Sequence, residues 1–232
     1  MRLAIARRCV ERKRRELGET MLAGAVYGSV AHWAAAEHSD VEVLVVCDGT
    51  VEEGDEHFFD EGVMVECALV TADRVLASAR RVPWNWGIKA DAYRHQEPIW
   101  DPDRFFERLC EAAHSAPDED FERALRETWW IVYEEREKLT NAVEADDTTR
   151  AVFLGWEFAY AAAMSIALEE RSPYESGRTL WRDAALRGYR MRELIDALTQ
   201  GARSLPEITR CVDAVWSEID ARPSSPSARE AP

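Results

Sequence analysis

Residues 26–46 read VYGSVAHWAAAEHSDVEVLVV, and the rest of the chain is organised around them. An apolar run ends in Tyr27-Gly28-Ser29. After ten intervening residues, Asp40-Val41-Glu42 opens a second apolar run, VEVLVVC, over 41–47. Strand alternation puts Asp40 and Glu42 on one face. Two carboxylates so close repel each other, and hard divalent cations relieve that repulsion. Mg²⁺ favours carboxylate and phosphate oxygens. Gly28 permits close approach, and the Ser29 hydroxyl with the free N–H groups of a helix start suits phosphate. Glu66 sits inside a third apolar run, VMVECALV over 63–70. A glutamate there is costly unless paired or metal-bound. Three carboxylates on adjacent strands suit two metal ions about 4 Å apart, the geometry for in-line phosphoryl or nucleotidyl transfer.

Outward from this stretch, the first third alternates helix and strand signals. The pattern predicts a helix over 3–17, a strand over 21–27, one or two helical turns over 30–37 and a strand over 41–47. An acidic turn with Gly49 and Gly54 follows over 48–56. The strand over 63–70 is expected antiparallel to its predecessor because the link is short. Thr71 caps a helix running to about Arg80. From Pro102 the strand signal stops. Helices are predicted over 103–114, 118–145, 148–170, 176–187, 191–200 and 205–221. The helix over 148–170 is apolar on all sides, which predicts burial. The fold class is therefore α+β: a small mixed sheet with flanking helices over 1–101, a C-terminal helical-bundle domain over 102–222, and a disordered Pro/Ser-rich tail over 223–232.

On the helix over 118–145, Leu125, Val132 and Leu139 recur every seven residues as a core stripe. Glu134 and Lys138 point the opposite way. Read alone they are an exposed i,i+4 ion pair worth a few tenths of a kcal/mol. Trp84, Trp86, Trp129 and Trp130 suit either stacking on a base or sugar or, more commonly for aromatics, core packing. His38, His57, His95 and His114 show no ligand spacing and read as surface or packing residues.

Composition narrows the function classes. The chain has 232 residues, 47% of them apolar and 31% charged, with a net charge of −15. This is globular composition; it argues against nucleic acid and suits a cationic partner. No apolar run approaches the roughly 20 residues of a membrane helix. The Arg-rich N-terminus lacks a signal-peptide core. Five dispersed cysteines without a C-x-x-C indicate neither a zinc knuckle nor a disulfide framework, so a reducing cytoplasm is expected. Only three lysines occur, Lys13, Lys89 and Lys138.

Gly-Ser, a loop-helix of about ten residues and D-x-[DE] form the nucleotidyltransferase signature. Further along, the chain resembles the kanamycin nucleotidyltransferase family of the polymerase-beta-like superfamily. The residues that carry this are Val63–Glu66 (V-x-V-E), Trp86, Pro98-Ile99-Trp100-Asp101, Tyr133-Glu134 with Lys138 and Asn141, and the apolar helix 153–168. The resemblance implies a nucleotidyltransferase that moves a nucleoside monophosphate from ATP or another NTP to a hydroxyl of an aminoglycoside-like, cationic acceptor. It implies two Mg²⁺ ions and a homodimer with shared active sites. By family role, Asp40 and Glu42 look like metal ligands, and Glu66 looks like the third acidic residue, facing metal and substrate. Glu134 looks like the general base. Gly28, Ser29, His32 and Lys138 fall at nucleotide-binding positions. The family has arginine where this chain has His32. The same chemistry on another small-molecule or sugar acceptor, or a non-catalytic nucleotide-binding regulatory or antitoxin-like module, are the alternatives.

Overall fold

Three β-branched or aliphatic runs and two polar edges make one five-stranded sheet. The computed structural model describes residues 1–199, 204–223 and 225–226. Helix α1 (Arg2–Leu17) leads through a 3₁₀ turn into β1 (Met21–Tyr27). Then come α2 (Gly28–Ala31), β2 (Val41–Cys47), β3 (Gly54–Asp60), β4 (Val63–Thr71) and α3 (Ala72–Ala79). Two single-turn helices, α4 (Trp86–Lys89) and α5 (Asp91–Arg94), precede β5 (Glu97–Trp100) and α6 (Phe105–His114). The remainder is helical: α7 (Asp118–Glu144), α8 (Thr148–Glu169), α9 (Leu180–Leu186), α10 (Met191–Thr199) and α11 (Leu205–Asp220). The expected α+β class holds.

The strands lie in the order β3-β4-β2-β1-β5. One expectation is corrected: β4 runs parallel to β2, not antiparallel. The segment read as an acidic turn contains β3, which carries the chain back and pairs antiparallel with β4. Its sequence, GDEHFFD, shows no apolar alternation, because it is an edge strand with mostly exposed side chains. The other edge, β5, tolerates Pro98 for the same reason: an edge strand has one side on which no donor is needed.

Two compact units emerge, residues 1–81 with 90–116, and residues 82–89 with 117–232. In the first, α1 lays Ile5, Ala6, Cys9 and Val10 on one sheet face, against Val41, Val43, Val45 and Val65. The other face carries Ala23, Ala25, Leu44 and Val46. They are covered by Val75 and Ala79 of α3 and by Phe105, Phe106 and Leu109 of α6. The Asp101 carboxylate caps α6 by accepting from the N–H groups of Phe105 at 2.6 Å and Phe106 at 3.1 Å. Lys13 is buried in α1 and pairs with Glu56 on β3 and, at 3.1 Å, with Glu16.

In the second unit α8 is the central helix. By length and composition it could cross a membrane, but 72% of its apolar 18-residue stretch is buried in protein. Its alanines let other elements approach closely. Gly87 of α4 rests against Ala167 and Met164, and the Gly87 carbonyl accepts from the Tyr174 N–H at 2.7 Å. Trp86 is fully enclosed, edge-on to Phe121 at 5.0 Å. Trp129 is also core and Trp84 is half-buried against Tyr160, whereas Trp130 is exposed. Val132 and Leu139 of the expected stripe are buried and Leu125 is half-buried. Most of the expected disordered tail lies outside the described residues. Arg222, just before it, and Ser225, within it, are buried, Arg222 in an ion pair with Glu169 at 2.7 Å.

Candidate active site

β1 ends at Tyr27, and the chain turns at Gly28 with φ of 65°. That left-handed conformation favours glycine. A Cβ at Gly28 would also overlap the carboxylate of Glu42, so glycine is needed twice over. Helix α2 is one turn long. The expected turns over 30–37 stop at Ala31 because Trp33 takes a positive φ of 55°. The loop to β2 is tied to the start of α1: Arg2 Nε donates to the Ser39 carbonyl at 2.8 Å, and Arg2 also donates to the Glu37 carbonyl. The loop therefore reaches Asp40 as an anchored strap.

Strand register then assembles the acidic group. Glu42 is paired with Tyr27 across β1–β2 and with Glu66 across β2–β4. These three residues share one sheet face, with Asp40 two residues ahead of Glu42 in the same phase. Glu42 is half-buried, and its pKa is pushed up to about 7, first by burial and then by the charges of Asp40 and Glu66. The Tyr27 phenol is pushed well above its ordinary value by burial and by Glu42, Glu66 and Asp55. His57 of β3 faces Glu66 at 3.8 Å and is largely exposed. A carboxylate raised by burial and then by two like-charged neighbours is a site short of positive charge. Hard oxygen donors in that state match Mg²⁺ better than a soft metal.

On the same face, the next residues inward line a cavity of about 260 Å³ bounded by Tyr27, Leu44, Ala68, Arg74, Ser78 and Tyr93. It is mainly apolar, with the Tyr27 ring shared between it and the acidic group.

Glu134 and Lys138 stand in the second unit, on α7. Lys138 Nζ lies 2.9 Å from Glu134 and 2.7 Å from Glu135. These carboxylates, Glu135 first, raise the Lys138 pKa above the ordinary lysine value. Glu134 is exposed, 65% by side chain, so a ligand can reach it beside its ion pair with Lys138.

One grouping escaped the sequence reading. His95, read as a surface or packing residue, converges with His32 on the buried Asp91. The i,i+4 spacing of Asp91 and His95 was its only local signal; the 59 residues separating His32 from Asp91 conceal the rest.

The model of the family described as the KNTase C-terminal domain matches residues 103–221. Among solved structures, the chain is similar to a nucleotidyltransferase-like protein from Exiguobacterium sibiricum. The TM-score is 0.54 at 14% identity, over 94% of this chain and 74% of that one, a likeness of fold. It also matches a spectinomycin adenyltransferase from Enterococcus faecialis, solved with ATP and spectinomycin. There the TM-score is 0.43 at 12% identity, over 92% of this chain and 98% of that one. No curated protein sequence matches the chain.

Proposed function

The chain belongs to the kanamycin nucleotidyltransferase family, whose C-terminal domain spans residues 103–221, and from that premise we propose how this nucleotidyltransferase works. It transfers a nucleoside monophosphate from ATP or another NTP to a hydroxyl of a cationic, aminoglycoside-like acceptor and releases pyrophosphate. The observation that carries this is the register of β2 and β4, which sets Glu42 opposite Glu66 with Asp40 in phase and the Gly28-Ser29 turn alongside.

Asp40, Glu42 and Glu66 would hold two Mg²⁺ ions; the raised pKa of Glu42 and the all-oxygen donor set fit that role. Once bound, such ions neutralise charge on the triphosphate and at the leaving pyrophosphate. The Ser29 hydroxyl and the backbone at Gly28 bind the phosphates, and Gly28 keeps the Glu42 carboxylate within reach of them. Glu66, at the edge of the group, also attracts the ammonium groups of the acceptor. Glu134 takes the proton of the acceptor hydroxyl. The oxygen then bonds to the α-phosphorus while the bond from that phosphorus to the β-phosphate bridging oxygen breaks. Lys138 supplies positive charge to the triphosphate. We further propose a homodimer in which Glu134 serves the carboxylates of the other copy. The net charge of −15 favours a polycationic acceptor through long-range attraction.

Pyrophosphate release with ATP, Mg²⁺ and an aminoglycoside panel tests the proposal, comparing the protein with Asp40→Asn. Release that requires both an aminoglycoside and Asp40 supports it. Mg²⁺-dependent ATP binding without release rejects that acceptor class and favours another sugar or small molecule. No nucleotide binding favours the non-catalytic module.

A further inference from the structure

Behind the turn that follows β1, His32 closes α2, while Asp91 begins α5 and His95 follows its last residue. His32 Nε2 lies 2.7 Å from one Asp91 oxygen, and His95 Nδ1 lies 2.5 Å from the other. The two imidazole rings are 4.9 Å apart. Asp91 is only 5% exposed. A buried carboxylate is expensive unless its charge is answered. Arg94 feels that charge, but its guanidinium donates to the Ala113 carbonyl at 3.3 Å. Both carboxylate oxygens instead point at imidazole nitrogens.

From this convergence we propose that His32, Asp91 and His95 form a binding site for one divalent transition-metal cation of the zinc class, separate from the acidic group on the strands. The three ligand atoms lie within 4.8 Å of one another. At zinc-to-ligand distances of about 2.0–2.2 Å the three atoms sit about 3.3 Å apart, so the two contacts to Asp91 open slightly while the imidazole nitrogens draw together, shifts that side-chain rotation supplies. Asp91 and His95 are one helical turn apart, so the backbone holds two ligands on one face. Two imidazole nitrogens with one carboxylate select a borderline transition ion over Mg²⁺. A metal-bound imidazole gives the ion the lone pair of the nitrogen facing Asp91 and carries its proton on the other ring nitrogen. The His95 side chain is 56% exposed and that of His32 is 17% exposed, so the ion enters from solvent and keeps a position for water. Occupancy would lock His32 to α5 and withhold its imidazole from phosphate.

Cobalt titration of the full-length, chelator-treated protein, followed by visible absorption, tests the site. One equivalent of Co²⁺ should give a ligand-field band that stoichiometric Zn²⁺ removes and excess Mg²⁺ does not. His95→Ala is expected to weaken binding by on the order of 100-fold. That residue is exposed enough for the variant to fold, as circular dichroism will verify. Asp40→Asn should leave the band unchanged. No band, a band unaffected by His95→Ala, or a band lost in Asp40→Asn overturns the proposal. The readout is binding alone, so it is decided whether or not the protein transfers nucleotides.

Discussion

Glu42 and Glu66 face each other across the parallel β2–β4 pair, and their other cross-strand partners, Tyr27 and His57, are neither arginine nor lysine. The Glu42 pKa is about 7 against an ordinary 4.5, so the folded chain holds an extra proton between those values. Stability from this residue is full below the ordinary value, falls as pH rises, and levels off above about 7. In metal-free protein, wild type should lose melting temperature relative to Glu42→Gln between about pH 5 and about pH 8. Mg²⁺ should restore the wild type at the higher pH and leave the variant unmoved. Parallel pH profiles for the two proteins would contradict this account.

At Gly28, alanine has to adopt a left-handed φ at a cost of about 1–2 kcal/mol, and its methyl displaces the Glu42 carboxylate. Gly28→Ala is therefore expected to lower the melting temperature modestly and to weaken the Mg²⁺-induced thermal shift far more. Equal thermal shifts in both proteins would remove the link between the turn and the acidic group.

Replacing Glu134 by glutamine keeps the shape of an exposed side chain. The expected result is a loss of kcat of about 10²–10⁴-fold, the usual worth of a general base. ATP affinity and melting temperature should be unchanged. Steady-state kinetics with calorimetric ATP binding separates this from a folding defect.

Sharing of sites between copies has its own signature. Mixing inactive Asp40→Asn with inactive Glu134→Gln should restore up to about a quarter of the wild-type rate, because half of the dimers are mixed and each then has one intact site. A base acting within its own chain predicts no recovery.

Gly87 sits where an added methyl would be 2.6 Å from the Ala167 Cβ, an atom anchored directly to α8. Gly87→Ala should cost about 1–3 kcal/mol by overpacking. Urea unfolding will measure it. Gly49→Ala, with open space around the added carbon, is the matched control.

The runs VEVLVVC and VMVECALV announced strands because both of their faces are covered, and the all-round apolar stretch at 148–169 announced a buried helix for the same reason. Asp40, Glu42 and Glu66 were legible because a charge inside an apolar strand contradicts its surroundings. Chemistry and periodicity are local properties, and they sufficed there. The edge strand β3 was not legible, since its partners are backbone groups and its side chains meet water. Missing it reversed the expected direction of β4, and the opposition of Glu42 to Glu66 depends on that direction. His32, Asp91 and His95 were likewise separate letters in the chain until folding brought two short helices together. Pattern along a chain reports burial at each position. Which distant residues become neighbours is set by backbone pairing and long-range packing, and these exist only once the chain has folded.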